Sequence, residues 1–124
     1  MELYIKEVGN KGRGVFCTED LEEGDEIEIC PVIVCPPKDT KHLNKTTLYH
    51  YYFIWGEDGE SAGIVLGYGA MYNHDYSPNA RYEAYYDDNI FKVIARKKIP
   101  ANTEITINYN YYPEDQTKLW FDVE

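Results

Sequence analysis

Two segments of the chain place glycine, asparagine and histidine where a loop could bring them against a ligand. Residues 11–16 set two glycines around one residue, which allows positive φ and a close approach of the backbone to a ligand. Their spacing is shorter than the dinucleotide-binding pattern G-x-G-x-x-G, and no helix is predicted after them, so a tight turn is the alternative. Residues 71–80 hold two asparagines, a histidine and a proline, which puts many hydrogen-bonding groups on a restrained backbone. We interpret this second segment as a ligand-contacting loop.

Tyrosine side chains collect in two further segments. Residues 104–112 alternate, which buries a pair of isoleucines and then delivers a cluster of phenols at the end of a strand. Residues 49–53 carry a second aromatic run that could face the same pocket. Phenol rings suit a cationic or an apolar group, and the alternative is an aromatic patch that packs in a small core.

Short runs of apolar residues, separated by glycine, proline and Asn-Asp turns, predict a mostly β fold. No segment has the periodicity of a long amphipathic helix. Residues 38–47 predict a loop or a short helix, residues 68–72 predict one helical turn, and Pro31 predicts an edge or a bulge in its strand. The predicted strands are 3–8, 15–17, 26–34, 49–55, 63–66, 81–85, 90–95 and 103–109, with 81–85 and 90–95 forming a hairpin.

Length and charge limit the class of protein. The 124 residues, 14.5 kDa, suit one compact domain. The net charge of −10 disfavours direct nucleic-acid binding and favours a basic peptide or protein, although an acid excess alone also keeps a protein soluble. No apolar run approaches the roughly 20 residues of a transmembrane helix, and the N-terminus lacks the features of a signal peptide. We therefore expect a cytoplasmic or nuclear protein with no membrane partner.

The cysteines and histidines predict neither disulfide bonds nor a metal site. Three cysteines are an odd number, and their spacing is not that of a zinc site. Reduced, buried thiols are the better interpretation. The three histidines are scattered along the chain, so we expect no structural metal.

In this order, the segments resemble the motifs of the SET-domain protein lysine methyltransferases. Residues 12–16 match the first G-x-G motif, residues 72–74 with Pro78 and Asn79 match R-F-x-N-H-S-x-x-P-N, and residues 104–109 match E-L-x-F-D-Y. Any one motif is weak, but three in order and correctly spaced between about residues 6 and 112 are a strong signal. The chain lacks the cysteine-rich flanking elements of most family members. It is similar to the minimal SET proteins of large DNA viruses and bacteria.

The resemblance implies a fold that the strand pattern agrees with but does not predict. That fold is the SET-domain (β-clip) fold, with several short curved sheets around a knot-like C-terminal crossing. The Asn-His segment and the C-terminal segment would pass one another there, a rare exception to unknotted chains. Residues 1–124 would form a single minimal SET domain, with a tail at 113–124 that could close the active site.

The resemblance also implies a cofactor, a substrate and a set of site residues. The cofactor would be S-adenosyl-L-methionine, converted to S-adenosyl-L-homocysteine without a metal, and the substrate a lysine of a basic protein such as a histone. Tyr109 matches the motif's catalytic tyrosine, and Tyr51 is the best candidate for a second catalytic phenol. The cofactor-binding residues would be Lys11, Gly12, Arg13, Gly14, Tyr72, Asn73, His74, Tyr109 and Trp120. The lysine channel would be lined by Tyr51, Ile107, Tyr111 and Tyr112.

Three positions depart from the family motifs. Asp75 replaces the usual serine, Asn108 replaces the usual aspartate, and Ile107 stands where the family often has phenylalanine or tyrosine. These departures keep a second hypothesis open, a SET-like module that binds a peptide with weak catalysis, whereas the retained motif cores favour the enzyme. A second copy of the chain is a further candidate partner, because a small domain can cover open faces by pairing.

Overall fold

The computed structural model describes residues 1–119, whose regular structure is mostly strand. One short α-helix, α1 (Pro37–Leu43), and three 3-10 turns (Gly9–Lys11, Thr47–His50 and Gly69–Met71) connect the strands of this part of the chain. In chain order the strands are β1 (Leu3–Glu7), β2 (Arg13–Cys17), β3 (Glu26–Cys35), β4 (Phe53–Trp55), β5 (Ser61–Val65), β6 (Asn73–His74), β7 (Ala80–Tyr85), β8 (Ile90–Ala95) and β9 (Glu104–Ile107). The mostly β fold is the one that the sequence predicts.

The smaller sheet brings the three sequence motifs together. Its strand order is β1-β2-β9-β6. β1 and β2 form an antiparallel hairpin around the glycine-rich segment, and β2 pairs with β9 in the antiparallel sense. β6 then pairs with β9 in parallel, which requires a long connection between the two strands. Segments that lie far apart in the chain therefore meet in one sheet.

The larger sheet has the order β4-β5-β3-β8-β7, and Pro31 lies where its central strand changes partner. The first half of β3 pairs with β8 as far as Pro31, and the second half pairs with β5 from Val32 onward. Pro31 donates no hydrogen bond, while its carbonyl accepts one from Leu66 N at 3.0 Å. The predicted bulge exists in this strand, but it lies between Glu26 and Glu28 rather than at the proline.

Side chains from both sheets pack into one hydrophobic core. Val15 of β2 and Ile105 of β9 come from the smaller sheet, and Phe91 and Val93 of β8 come from the larger one. All four are fully buried. Burying an aliphatic or phenyl side chain of this size stabilises the fold by roughly 1.5–3 kcal/mol, so this core holds the two sheets against each other.

Most predicted elements are confirmed, and the aromatic run is the exception. The hairpin and the helical turn occur with shifts of one residue at their ends, and the short helix of the predicted 38–47 segment ends four residues earlier, at Leu43. The predicted strand over 49–55 is wrong, because only its last three residues, which form β4, are a strand. Thr46 caps the 3-10 helix Thr47–His50 that precedes β4: its Oγ1 accepts from Leu48 N at 3.2 Å and donates to Leu43 O at 2.7 Å. This local capping outweighs the β-preference of the aromatic residues.

Cys17, Cys30 and Cys35 are free thiols, the first two of them buried. Within residues 1–119, no helix has the length and apolar character that crossing a membrane requires. In the same range, no cluster of three or more histidine, cysteine or acidic side chains is arranged to hold a metal ion.

Candidate active site

The Asn-His segment, the last strand and the C-terminal segment meet at one place. β6 runs parallel to β9, and Asp75 N continues the contact by donating to Ile107 O at 2.9 Å. Gln116 Nε2 donates to Tyr76 O at 2.9 Å, so the C-terminal segment contacts the loop that follows β6. The two segments that the resemblance implies to cross are therefore in contact.

Tyr109 is held at both its backbone and its phenol end. Its amide donates to His74 Nδ1 at 3.0 Å, and its hydroxyl donates to Tyr72 O at 2.5 Å. The ring of Phe53 packs edge-on against the Tyr109 ring with centroids 5.8 Å apart. Burial raises the pKa of Tyr109 well above its ordinary value. The phenol is therefore neutral at physiological pH and acts as a hydrogen-bond donor.

Tyr109 forms part of the walls of two larger cavities. A cleft of about 270 Å³ lies against the glycine-rich segment. Its size is near the lower end of the range for small-molecule sites, roughly 300–1,000 Å³. The cleft walls include Lys11, Gly12, Arg13, Tyr51, Asn73 and Tyr109. A groove of about 400 Å³ is the second cavity, and its aromatic walls include Phe53, Trp55, Tyr82, Tyr86, Tyr109 and Tyr111.

A narrow space of about 10 Å³ shares wall residues with both the cleft and the groove. It shares Tyr51 and Ala70 with the cleft and Phe53 with the groove, while Tyr109 borders all three. The space is close to the volume of a single water-sized sphere and its walls are mainly aromatic. A thin, apolar or cationic chain could pass through this point after small side-chain movements, whereas a bulky polar group could not.

Asn73 connects the glycine-rich segment with β9 at the floor of the cleft. Its Nδ2 donates to Arg13 O at 3.1 Å and to Glu104 Oε2 at 2.6 Å. Lys11 Nζ lies 3.7 Å from Glu104 Oε1, and both side chains are partly buried. Glu104 therefore acts as an acceptor for an amide and a cation whose residues line the cleft, which is a structural role.

Two glycines of the first motif have different structural roles. Gly12 has φ +78°, and a Cβ at this position would meet no atom within 4 Å, so its backbone is open to the cleft. Gly14 is buried, and a Cβ there would overlap Glu104 Oε2 and lie 3.0 Å from Asn73 Nδ2. Gly12 permits the turn and a close approach of a ligand, and Gly14 permits the contact between β2 and its neighbours.

The walls of the cleft carry groups that could bind a ligand with a carboxylate at one end. Lys11 and Arg13 supply positive charge, Asn73 supplies an amide, and the open backbone at Gly12 permits close contact. Tyr51 and Tyr109 form the side of the cleft toward the narrow space. These features are compatible with S-adenosylmethionine, whose amino-acid end is charged and whose reactive methyl group would have to face that space.

The remaining predicted residues are divided between the cavities, the core and the surface. Tyr111 lies on the groove wall. Ile107 is fully buried in the core, and Tyr72 is buried with its hydroxyl donating to Glu28 Oε1 at 2.7 Å, so Tyr72 can reach a cofactor only through its backbone. Tyr112 is 64% exposed and lines none of these cavities. Trp120 lies outside the described residues.

Several wall residues have no motif that reveals them. Met71 and Glu7 line the cleft, and Tyr82 and Tyr86 line the groove beside the end of β7. Phe53 lies in the aromatic run that the sequence points to, but its place between cleft and groove depends on β4 pairing with β5. Glu28 is also missed: it accepts from Tyr68 N at 3.0 Å as well as from the Tyr72 hydroxyl, and so supports the loop before β6.

The similarity of this chain to known proteins is consistent with the site described above. The SET domain family matches residues 12–110. The chain is 32% identical to the histone-lysine N-methyltransferase, H3 lysine-37 specific, of Schizosaccharomyces pombe, over 98% of this chain and 78% of that protein. The chain therefore belongs to the SET-domain family, and it is an enzyme of the protein-lysine N-methyltransferase class.

Solved structures show the same fold. A Plasmodium falciparum crystal structure, described as that of a candidate histone methyltransferase, has a TM-score of 0.67 at 29% identity and covers 90% of this chain and 99% of that one. The Neurospora SET domain protein DIM-5, a histone lysine methyltransferase, has a TM-score of 0.69 at 20% identity. That match covers 96% of this chain and 56% of the Neurospora chain.

Proposed function

We propose that this chain transfers methyl groups from S-adenosyl-L-methionine to a lysine side chain of a histone or another basic protein. The observation that carries the proposal is the position of Tyr109, which borders the cleft, the groove and the narrow space that shares wall residues with both. In this arrangement the cleft binds the cofactor and the groove binds the lysine-bearing segment. Methyl transfer takes place beside the Tyr109 phenol.

The residues of the cleft would bind and orient the cofactor, whose sulfonium supplies an electrophilic methyl group. Lys11 and Arg13 would attract its carboxylate, and the backbone of Gly12 would approach its methionine chain. Asn73 and the backbone of His74 would contact its amino and adenine groups. Gly14 leaves space for the Asn73 side chain, and the carbonyl of Tyr72 accepts the hydrogen bond of the Tyr109 hydroxyl, so both support the site without touching the cofactor through a side chain. Trp120 is proposed to cover the adenine.

The aromatic walls would prepare the lysine for attack. A lysine ammonium has a pKa of about 10.4 in water and must lose a proton before its nitrogen can attack carbon. Burial against Phe53, Tyr51 and Tyr109 disfavours the charged form and lowers that pKa. The neutral Tyr109 phenol can then orient the amine, and Tyr51 is proposed as a second phenol beside it. Alignment of nitrogen and methyl carbon supplies most of the rate enhancement.

The surface next to the groove supports a basic substrate. A hollow of about 290 Å³ is lined by Glu57, Asp87 and Asp88 and shares Ala84 and Tyr86 with the groove. The net charge of the whole chain is −10. Attraction between such a surface and a lysine-rich segment favours encounter and correct orientation. Two of the similar proteins are named as histone methyltransferases, and this supports the same substrate class.

The test removes one oxygen from Tyr109 and follows methyl transfer by mass spectrometry. We expect Tyr109→Phe to stay folded and to lose turnover on histone by roughly 100-fold, as when one preorganised donor is removed from an active site. Tyr4→Phe is the matched control, because the Tyr4 hydroxyl also donates a hydrogen bond, to Asn102 Oδ1 at 2.8 Å, but lies on β1. The control should turn over like the wild type.

Calorimetry with S-adenosyl-L-methionine completes the test. The wild type and both variants should bind the cofactor with similar affinity, because Tyr109→Phe keeps the ring that lines the cleft and removes only the hydroxyl, which is proposed to act on the amine. Equal turnover of Tyr109→Phe and wild type would remove Tyr109 from the mechanism. A wild type that binds a histone peptide but not the cofactor would favour the alternative, a SET-like peptide-binding module.

A further inference from the structure

The imidazole of His74 is the buried contact between β6 and the amide of Tyr109. His74 is 4% exposed, and its Nδ1 accepts from Tyr109 N at 3.0 Å. β9 ends at Ile107, so the amide of Tyr109 lies beyond the strand, and its hydrogen bond goes to a side chain 35 residues away. The same residue carries the phenol that borders both the cleft and the groove.

The geometry defines the protonation state of the imidazole. Because Nδ1 accepts a hydrogen bond, the single proton of the neutral ring sits on Nε2, which is buried and has no hydrogen-bond partner within residues 1–119. A second proton would sit on Nδ1 and point at the N–H of Tyr109. Two donors would then face each other, and the contact would be lost.

The surroundings of His74 also favour the neutral ring. Burial lowers its pKa below the ordinary 6.5, with Lys11 acting in the same direction and Asp75 in the opposite one. The rings of Tyr76 and Tyr109 pack against the imidazole with centroids 4.3 and 5.2 Å away, so aromatic surfaces surround it. The hydrogen bond to Tyr109 is therefore intact at neutral pH and open to loss in acid.

We propose that His74 is a positioning residue that holds Tyr109 through its neutral Nδ1, so that protonation of the imidazole releases the Tyr109 backbone and stops turnover. The proposal rests on the proposed function for its effect on catalysis. Its structural part does not, because the hydrogen bond can be followed without any methyl transfer.

The structural part is tested by nuclear magnetic resonance on protein labelled with ¹⁵N-tyrosine. Loss of one signal in Tyr109→Phe identifies the Tyr109 amide. On lowering the pH from about 8 to about 5, we expect that signal to shift with the ionisation of the His74 ring, at a midpoint below 6.5. In His74→Asn, which keeps an acceptor near the Nδ1 position but does not titrate, this shift should disappear. A Tyr109 signal that does not respond while the His74 ring titrates would overturn the proposal.

The catalytic part is tested by the pH profile of turnover. The substrate amine must lose a proton in every variant, so log(kcat/KM) of His74→Asn should fall toward acid with a slope of one. The wild type should show a slope approaching two once His74 also takes up a proton. His42→Asn, an exposed histidine on α1, is the matched control and should keep the wild-type profile. Identical slopes in His74→Asn and wild type would refute a catalytic role for the contact.

A third variant removes the acceptor. His74→Leu should lower kcat by about tenfold or more while changing KM for the histone peptide much less, because the loss affects the orientation of Tyr109. His74→Asn should recover part of that kcat. Leu and Asn variants of equal kcat would contradict the proposal. A wild type that transfers no methyl group would contradict the proposed function instead, and the tyrosine signal would still decide the structural part.

Discussion

At the scale of single residues, Asn108 has a structural role that its place in the motif does not suggest. It is 1% exposed, and its Nδ2 donates to Asp115 O at 2.6 Å and to Pro113 O at 3.3 Å. Its Oδ1 accepts from Asn110 N at 2.9 Å. The departure from the usual aspartate therefore brings two donated bonds that a carboxylate cannot make. We infer that Asn108 holds in place the C-terminal segment that follows Tyr109 in the chain.

Replacing the amide by a carboxylate tests this role. Asn108→Asp keeps the size of the side chain but turns both donated bonds into contacts between oxygens. We expect a loss of about 1–3 kcal/mol in the free energy of unfolding, the typical effect of buried acceptors left unpaired. Urea denaturation measures it. Asn10→Asp, an exposed position of the same chemistry, should change stability by less than about 0.5 kcal/mol. Equal stability of the two variants would contradict the assigned role.

At the scale of secondary structure, one side chain extends the edge of a short strand. β6 has two residues and pairs with only part of β9. Asn79 supplies further contacts: its Oδ1 accepts from Thr106 N at 2.9 Å and its Nδ2 donates to Glu104 O at 2.8 Å. These bonds reproduce the donor and acceptor of a neighbouring strand. They keep β9, and hence Tyr109 after it, in register with the Asn-His segment.

Removing this side chain should loosen the last strand. Asn79→Ala deletes both bonds to the β9 backbone, and we expect it to lower the free energy of unfolding by about 1–3 kcal/mol. Amide hydrogen exchange should show faster exchange at Thr106, whose N–H loses its acceptor. Ser77→Ala, an exposed change in the same loop, is the control and should leave exchange at Thr106 unchanged. Unchanged protection in Asn79→Ala would show that the strand does not depend on this contact.

At the scale of the whole molecule, charge and cavity positions act together. The chain carries 22 acidic and 12 basic residues, and three of the acidic ones surround the hollow beside the groove. A basic substrate would be attracted by the overall charge at long range and by the hollow at short range. The pairing of two copies of the chain stays a prediction.

Ionic strength should separate this attraction from the chemistry. Between about 0.05 and 0.3 M salt, KM for a lysine-rich histone peptide should rise several-fold with little change in kcat, because screening weakens encounter but not alignment. Asp87→Asn with Asp88→Asn should reduce that salt dependence. Glu22→Gln with Glu23→Gln, an equal charge change at two exposed positions outside the hollow, should reduce it less. Equal effects of the two pairs would mean that only net charge matters.

The sequence by itself determined the family, the mostly β class and the residues of the cleft nearest to the motifs. Gly12, Asn73 and Tyr109 each lie in a short motif, and the order of residue types within such a motif can be recognised without a structure. The prediction of a strand over 49–55 was wrong, because capping by Thr46 competed with the β-preference of the aromatic residues. The sequence pattern does not show which of these two effects is stronger.

Only the tertiary structure decided which side chains face the site. Ile107, predicted to line the lysine channel, is fully buried in the core, while Tyr82 and Tyr86 belong to no motif yet line the groove. The contact of His74 with the Tyr109 amide joins residues 35 positions apart. The physical reason is that strand register and the packing of two sheets decide which face a residue occupies, and both depend on contacts between distant segments.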